Sequence, residues 1–354
     1  MNNRNRIEDF NVLKKSSIGF LFLILSLGCG EPSEVEMEVP ISGKLVYVED
    51  FGGRQGVLAG RFGDLVLIDG NENKRYALTD DHYYYAYPNL VNGGKEVWFE
   101  SKRGDDLWPA GLSSRSDLYS LDVETRQVRN IRDSLSTVFA VPLEDGIERI
   151  SVSSSGNRMV FQMRDVETGS PIGPRPFFYL DRDFNMLRRV EDETYRISWM
   201  KVFWSDDENK ISFDSGGHRR VFVYNFERQQ AHRISNEFIE SIQRPMFCHA
   251  GSWIDDNRFV YSCSYSGGNE IKIFQYDYHT DSSTEIAEIV KENFGIQSLH
   301  ISRDGSYLVF IGTTSVDFKI VESAIYVYDI ETNEMQSFAE NKRQKRWLRW
   351  YEDL

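Results

Sequence analysis

Cysteine and histidine are scarce in this chain: 354 residues contain three of the first and six of the second. Three thiols cannot staple a small disulfide scaffold, and no C-x-x-C pair suggests a zinc knuckle or a redox centre. H-E-x-x-H, G-x-S-x-G and G-x-x-x-x-G-K-[ST] are missing too, which removes the commonest signatures of zinc peptidases, serine hydrolases and P-loop enzymes. Positive charge is in deficit, with 41 Lys+Arg against 55 Asp+Glu and a net charge of −14. Such a surface repels phosphate backbones, and no basic stripe with interleaved aromatics offsets it, so no nucleic-acid partner is expected. Long stretches with helical spacing are also missing, which argues against a helical repeat.

What the chain has is a motif that returns six times. Hydrophobic triplets follow turns rich in Asp, Asn, Ser and Gly: Leu45-Val46-Tyr47, Val97-Trp98-Phe99, Met159-Val160-Phe161, Ile211-Ser212-Phe213, Phe259-Val260-Tyr261 and Leu308-Val309-Phe310. The preceding turn residues accept tight backbone angles, so two strands can fold into a hairpin there. A second apolar strand follows each triplet and ends in Asp69, Asp122, Asp181, Asn225, Asp277 or Asp329, residues that open a turn by side-chain capping. A short polar strand completes each unit. Four short strands rich in Val, Ile, Tyr and Phe describe a propeller blade, and six copies predict an all-β, six-bladed β-propeller with four-stranded antiparallel blades.

Two ends of the pattern predict how the ring closes. The first unit begins at the turn Ser42-Gly43 and lacks an inner strand, while Arg346-Trp347-Leu348-Arg349-Trp350-Tyr351 follows the last unit. That tail matches Trp199–Asp206 of the fourth unit, with Trp350 at the place of Trp204. Residues 346–351 are therefore expected beside residues 44–49, closing the first blade and removing exposed strand edges.

The segment Ser302–Phe310, followed by Ile325–Thr332, resembles the repeat of TolB-type propellers, which also occurs in relatives of prolyl oligopeptidase and in oligogalacturonate lyases. The resemblance covers residues 41–354 and speaks for fold more than for activity, since one superfold hosts unrelated functions. The propeller units leave no residues for an α/β-hydrolase domain, which sets the peptidase relatives aside.

Residues 18–27 form a ten-residue apolar run behind Lys14-Lys15, half the length of a spanning helix and suited to a signal-peptide core. The run leads to Gly28-Cys29, which resembles a bacterial lipobox although Ser26 stands where that pattern has Leu, Val or Ile. Residues 1–28 read as a lipoprotein-type signal peptide, residues 29–40 as an acidic flexible tether and residues 41–354 as the propeller domain. Cys29 is the expected lipidation site, placing the protein in the bacterial cell envelope at the outer membrane, facing the periplasm or the surface. A plain signal peptide or an uncleaved anchor is the alternative.

Candidate site residues are few. Cys248 and Cys263 flank the turn Asp255-Asp256-Asn257 at nearly equal distances; if Trp253 pairs with Arg258, the thiols face each other across one hairpin. A disulfide and two buried thiols are both open, because a register error of one residue separates their faces. Tyr83, Tyr85 and Tyr87 alternate on one strand and suit either a binding face or packing between blades. Trp108, in the loop 104–112, is the best single contact candidate, and residues 168–176 form a second rim loop. His82, His249 and His300 fall on or just before inner strands of three blades, where the lyase resemblance implies a metal site; no metal or other cofactor is the favoured reading. Arg244, Arg346 and Arg349 are candidates for a local basic cleft.

These observations lead to one expectation and one alternative. The expectation is a membrane-anchored lipoprotein whose propeller is a non-catalytic platform for an envelope protein or a glycan. The alternative is a metal-dependent polysaccharide lyase.

Overall fold

In a computed structural model, residues 34–50, 63–81, 83–101, 117–132, 135, 147–163, 177–183, 186–190, 201–215, 220–234, 246–265, 268–316, 319–338 and 343–352 are described. Strands β1 (Glu34–Glu36), β2 (Lys44–Asp50), β3 (Gly63–Asp69) and β4 (Lys74–Ala77) belong to the first blade. The second holds β5 (Tyr85–Val91), β6 (Glu96–Ser101), β7 (Asp117–Asp122) and β8 (Val128–Asn130), and the third β9 (Ile147–Val152), β10 (Arg158–Met163), β11 (Phe177–Asp181) and β12 (Met186–Val190). The fourth holds β13 (Val202–Trp204), β14 (Lys210–Ser215), β15 (Arg220–Asn225) and β16 (Gln230–Arg233). The fifth is β17 (Met246–Trp253), β18 (Arg258–Tyr265), β19 (Glu270–Asp277) and β20 (Ser282–Val290). The sixth is β21 (Phe294–Ile301), β22 (Tyr307–Val316), β23 (Lys319–Asp329) and β24 (Glu334–Phe338), after which β25 (Gln344–Tyr351) returns to the first blade.

Every pairing is antiparallel, and the expected closure is present: Lys44 lies opposite Tyr351, Leu45 opposite Trp350 and Val48 opposite Arg346. Trp350 faces the first residue of its triplet as Trp204 faces Ile211, so the two inner strands share one register. One segment differs from its expectation. Glu34–Glu36, within the stretch read as a tether, adds a fifth strand outside β4, and Val39 and Ile41 are buried. The edge of β4 offers unpaired backbone groups, and residues of high charge still satisfy them through main-chain bonds; Lys74 also pairs with Glu34 at 2.5 Å.

Each apolar strand has two buried faces because blades stack on both sides, so the core is divided among the blade interfaces. Leu45, Tyr47 and Val66 of the first blade pack on Val309, Ile311 and Ile325 of the sixth; Val46, Leu65 and Leu67 pack on Tyr85, Val97 and Phe99 of the second. The predicted caps are all made: Oδ1 of Asp69, Asp122, Asp181, Asn225, Asp277 and Asp329 accepts from a backbone N–H two or three residues on.

A bulge recurs on the inner strands. Two residues oppose one at Tyr87-Pro88, Arg149-Ile150, Ser298-Leu299 and Trp347-Leu348, and the first of each pair has positive φ, between 50° and 56°. Such angles are costly for residues with a Cβ, so four at equivalent positions mark an architectural device of the ring. In the fifth blade the bulge falls one step later, at Gly251-Ser252. A Cβ on Gly251 would sit 2.8 Å from the Leu299 carbonyl oxygen of the sixth blade, so glycine permits that close approach.

Candidate functional site

The residue that follows each bulge, or matches it in repeat register, lines the central channel: Asn89, Ser151, Phe203, Ser252, His300 and Arg349. A bulge re-aims the side chain after it, as at Asn89, Ser151, His300 and Arg349, while Phe203 and Ser252 reach the same level by their place in the repeat. Most of these side chains bond the backbone of the next blade. Asn89 Oδ1 accepts from Val152 N at 3.2 Å, Ser151 Oγ donates to Val202 O at 3.1 Å and Ser252 Oγ accepts from Ile301 N at 2.9 Å. His300 Nε2 donates to Leu348 O at 3.0 Å, and its ring meets Phe203 edge-on at 5.2 Å.

Arg349 behaves differently, because it crosses the ring. Its Nη2 donates to Val202 O of the fourth blade at 2.9 Å, and its guanidinium carbon lies 4.6 Å from the Phe203 ring centroid. Arg349 and Phe203 thus form a floor across the channel. Above it, toward the turns after the inner strands, opens a cavity of about 150 Å³. Trp204, Trp253 and Trp350 stand in its wall, and Asp206, Arg303 and Glu352 at its rim. Arg303 Nη2 lies 3.6 Å from Asp206 Oδ2, and its backbone N–H donates to Glu352 Oε2 at 2.8 Å.

Burial dominates the electrostatics here. It pulls the Arg349 guanidinium down to about 10. It also lowers His300 to about 3, with the Arg349 charge adding to the effect and the hydrogen bond to Leu348 opposing it, so the imidazole is neutral. Lys201, next to Val202, is lowered by burial and by Arg349, against the pull of Asp214. Asp206 is raised by burial, with Arg303 opposing and the acids Asp256, Asp255 and Asp207 reinforcing the rise.

Of the three histidines in the alternative metal reading, His249 and His300 are described and engage different partners. His82 lies outside the described residues. His249 Nδ1 bonds Asp214 Oδ2 at 2.8 Å, three residues before the channel level that His300 occupies, and His300 is committed to Leu348. No group of three His, Cys, Asp or Glu among the described residues is placed to hold a metal. Trp108, Cys29, Arg244 and the loops 104–112 and 168–176 also fall outside the described residues.

The three tyrosines part company. Tyr83 is exposed, Tyr85 is fully buried against Phe99 with its hydroxyl on Asp81, and Tyr87 packs 5.3 Å from Trp347 of the first blade. Tyr85 is therefore a packing residue rather than a contact surface; the bulge at Tyr87 breaks the simple alternation that would have put all three on one face. Cys248 and Cys263 lie directly opposite, with Cα atoms 4.1 Å apart, and form a disulfide. The register at the turn is Trp253 opposite Phe259, not Arg258; the bulge at Gly251-Ser252 restores the cysteine pairing. Arg346 pairs with Asp50 at 3.3 Å and so is not a free element of a basic cleft. Asn89, Ser151, Phe203 and Ser252 were not anticipated, although stepping the repeat interval along the inner strands from His300 would have reached them.

The fold defines the class: a closed six-bladed β-propeller. No protein-family model matches the chain and no curated protein sequence is similar to it. Among solved structures, TolB from Acinetobacter baumannii superposes with a TM-score of 0.59 at 15% identity, over 87% of this chain and 66% of that one. The chain thus spans just under two thirds of that TolB. Oligogalacturonate lyase in complex with manganese gives 0.55 at 13% identity, over 88% and 86% of the two chains. A chain of a nidogen–laminin complex gives 0.54 at 7% identity, over 86% and 97%.

Proposed function

We propose that this protein is a lipid-anchored bacterial envelope lipoprotein whose propeller is a non-catalytic platform, binding a protein or glycan at the channel mouth. The observation that carries the reading is the cavity itself. At about 150 Å³ it is below the roughly 300–1,000 Å³ of ordinary small-molecule sites, and it is floored by Arg349 and Phe203. Its polar groups are largely engaged by neighbouring blades, which suits a rigid receptor for one inserted group. TolB and a chain of the nidogen–laminin complex share the ring architecture, the latter in a protein–protein assembly. Lipidation at Cys29 draws support from residues 14–29, and an envelope location from the same residues together with the TolB likeness; the outer membrane, facing the periplasm or the surface, is the location we favour.

The lyase alternative draws on a fold likeness alone. The two are separated by incubating the purified protein with pectic oligomers and divalent metal, and by photo-crosslinking from a reactive residue replacing Arg303 in living cells. We expect a discrete crosslinked envelope partner and no unsaturated uronate product. Metal-dependent release of that product would overturn the platform reading.

A further inference from the structure

Among the described residues, two neighbouring cations, Arg349 in the channel and Lys201 beside Val202, form no ion pair. Arg349 has one hydrogen bond, to a neutral carbonyl, and a stacking contact with Phe203; among the described residues no carboxylate forms an ion pair with it. Lys201 is next to the residue that Arg349 bonds, and its ammonium has no hydrogen-bond partner among the described residues. The carboxylate that acts on it, Asp214, is already engaged: Oδ2 by His249 Nδ1, and Oδ1 by the backbone N–H of Lys201 at 3.2 Å. Withdrawing cations partly from water without a paired carboxylate is costly, more so when they repel each other. In a chain of net charge −14, with acids available throughout, a channel guanidinium paired with no described carboxylate fits a ligand that brings the negative charge.

We propose that Arg349 anchors an anion site, reinforced by the field of Lys201, and that the mouth takes up the carboxylate of an acidic side chain from a partner protein. This rests on the platform reading and names the chemistry of its ligand. The cavity opens directly onto Arg349, which retains further N–H donors suited to a carboxylate's two oxygens. Its volume of about 150 Å³ admits the end of one side chain. An internal unit of a uronate polymer needs a groove with two open ends for its neighbours, whereas this mouth is walled by all six blades and floored. The rim acids Asp206 and Glu352 are both held by Arg303, which moderates their repulsion of an entering carboxylate.

The test is thermal unfolding of the full propeller with sodium glutarate and, at equal ionic strength, sodium chloride. Glutarate at ten times its dissociation constant should raise the wild-type Tm by about 2 °C beyond chloride. Arg349→Met should lose the response and Lys201→Met should weaken it, while Arg349→Lys, which keeps the charge, should retain part of it and shows that the strand still folds. An N-acetylated pentapeptide amide with a central glutamate should act like glutarate, and its glutamine counterpart should not. No wild-type shift with glutarate, or an undiminished shift in Arg349→Met, would overturn the site. Trigalacturonate binding more tightly than the glutamate peptide would overturn the protein partner. Cleavage of trigalacturonate would instead overturn the platform reading, leaving the anion site standing.

Discussion

His300, on the inner strand of the sixth blade, donates from Nε2 to the carbonyl of Leu348 on the last strand of the chain. That bond ties the closing strand to the blade beside it, while Arg349, the next residue, ties it to the blade opposite. Ring closure and the chemistry of the channel are therefore one structure: the strand that completes the first blade also supplies the channel floor.

The imidazole makes this contact pH-dependent. Its pKa is about 3 in the folded ring, chiefly through burial, whereas the unfolded chain binds the proton near its ordinary 6.5. The unfolded state thus gains protons first, and stability is lost as pH falls from 6.5 toward 3, by up to about 1.4 kcal/mol per pH unit. Urea unfolding at roughly pH 7 and pH 4.5 should show a smaller loss in His300→Gln than in wild type, because glutamine donates without titrating. Equal losses in the two proteins would refute the assignment.

Closure should dominate stability. Leu348 is fully buried between the first and sixth blades, so Leu348→Ala should cost about 2–5 kcal/mol. Truncation after Asn341 removes β25, exposes an edge of β2 and should abolish cooperative unfolding. Circular dichroism melts measure both; a truncated ring with the wild-type Tm would contradict the closure.

The Cys248–Cys263 bridge closes a loop with a sequence separation of 15. Replacing both cysteines by alanine should lower stability by about 3 kcal/mol, mainly by freeing the unfolded chain. Denaturant midpoints in oxidised wild type and the double variant give the difference, and reduced wild type should approach the variant.

Anchoring is tested at Cys29. Cys29→Ser should leave the protein unprocessed or release it from membranes, because a ten-residue apolar run, once cleaved, cannot hold it there. Mass spectrometry of the membrane fraction decides; a membrane-bound mature protein with an unmodified residue 29 would rule out lipidation.

Much of the ring was legible in the sequence because its determinants are local and repeated. Alternating apolar triplets, turn residues and the caps Asp69 to Asp329 each specify a hairpin within a few residues. The match of Trp350 to Trp204 exposed the closure, since equivalent strands need equivalent side chains. The tertiary structure alone decided the site. Tyr87, Arg149, Ser298 and Trp347 take left-handed angles without being glycine, so no residue type announced the bulges, and each bulge changes which side chain reaches the channel. Arg349 finds Val202 across 147 residues of chain, and Glu34–Glu36 finds the edge of β4 in the same non-local way. Local preference writes strands and turns; which side chains meet at the axis is fixed only when six blades close and exclude water from between them.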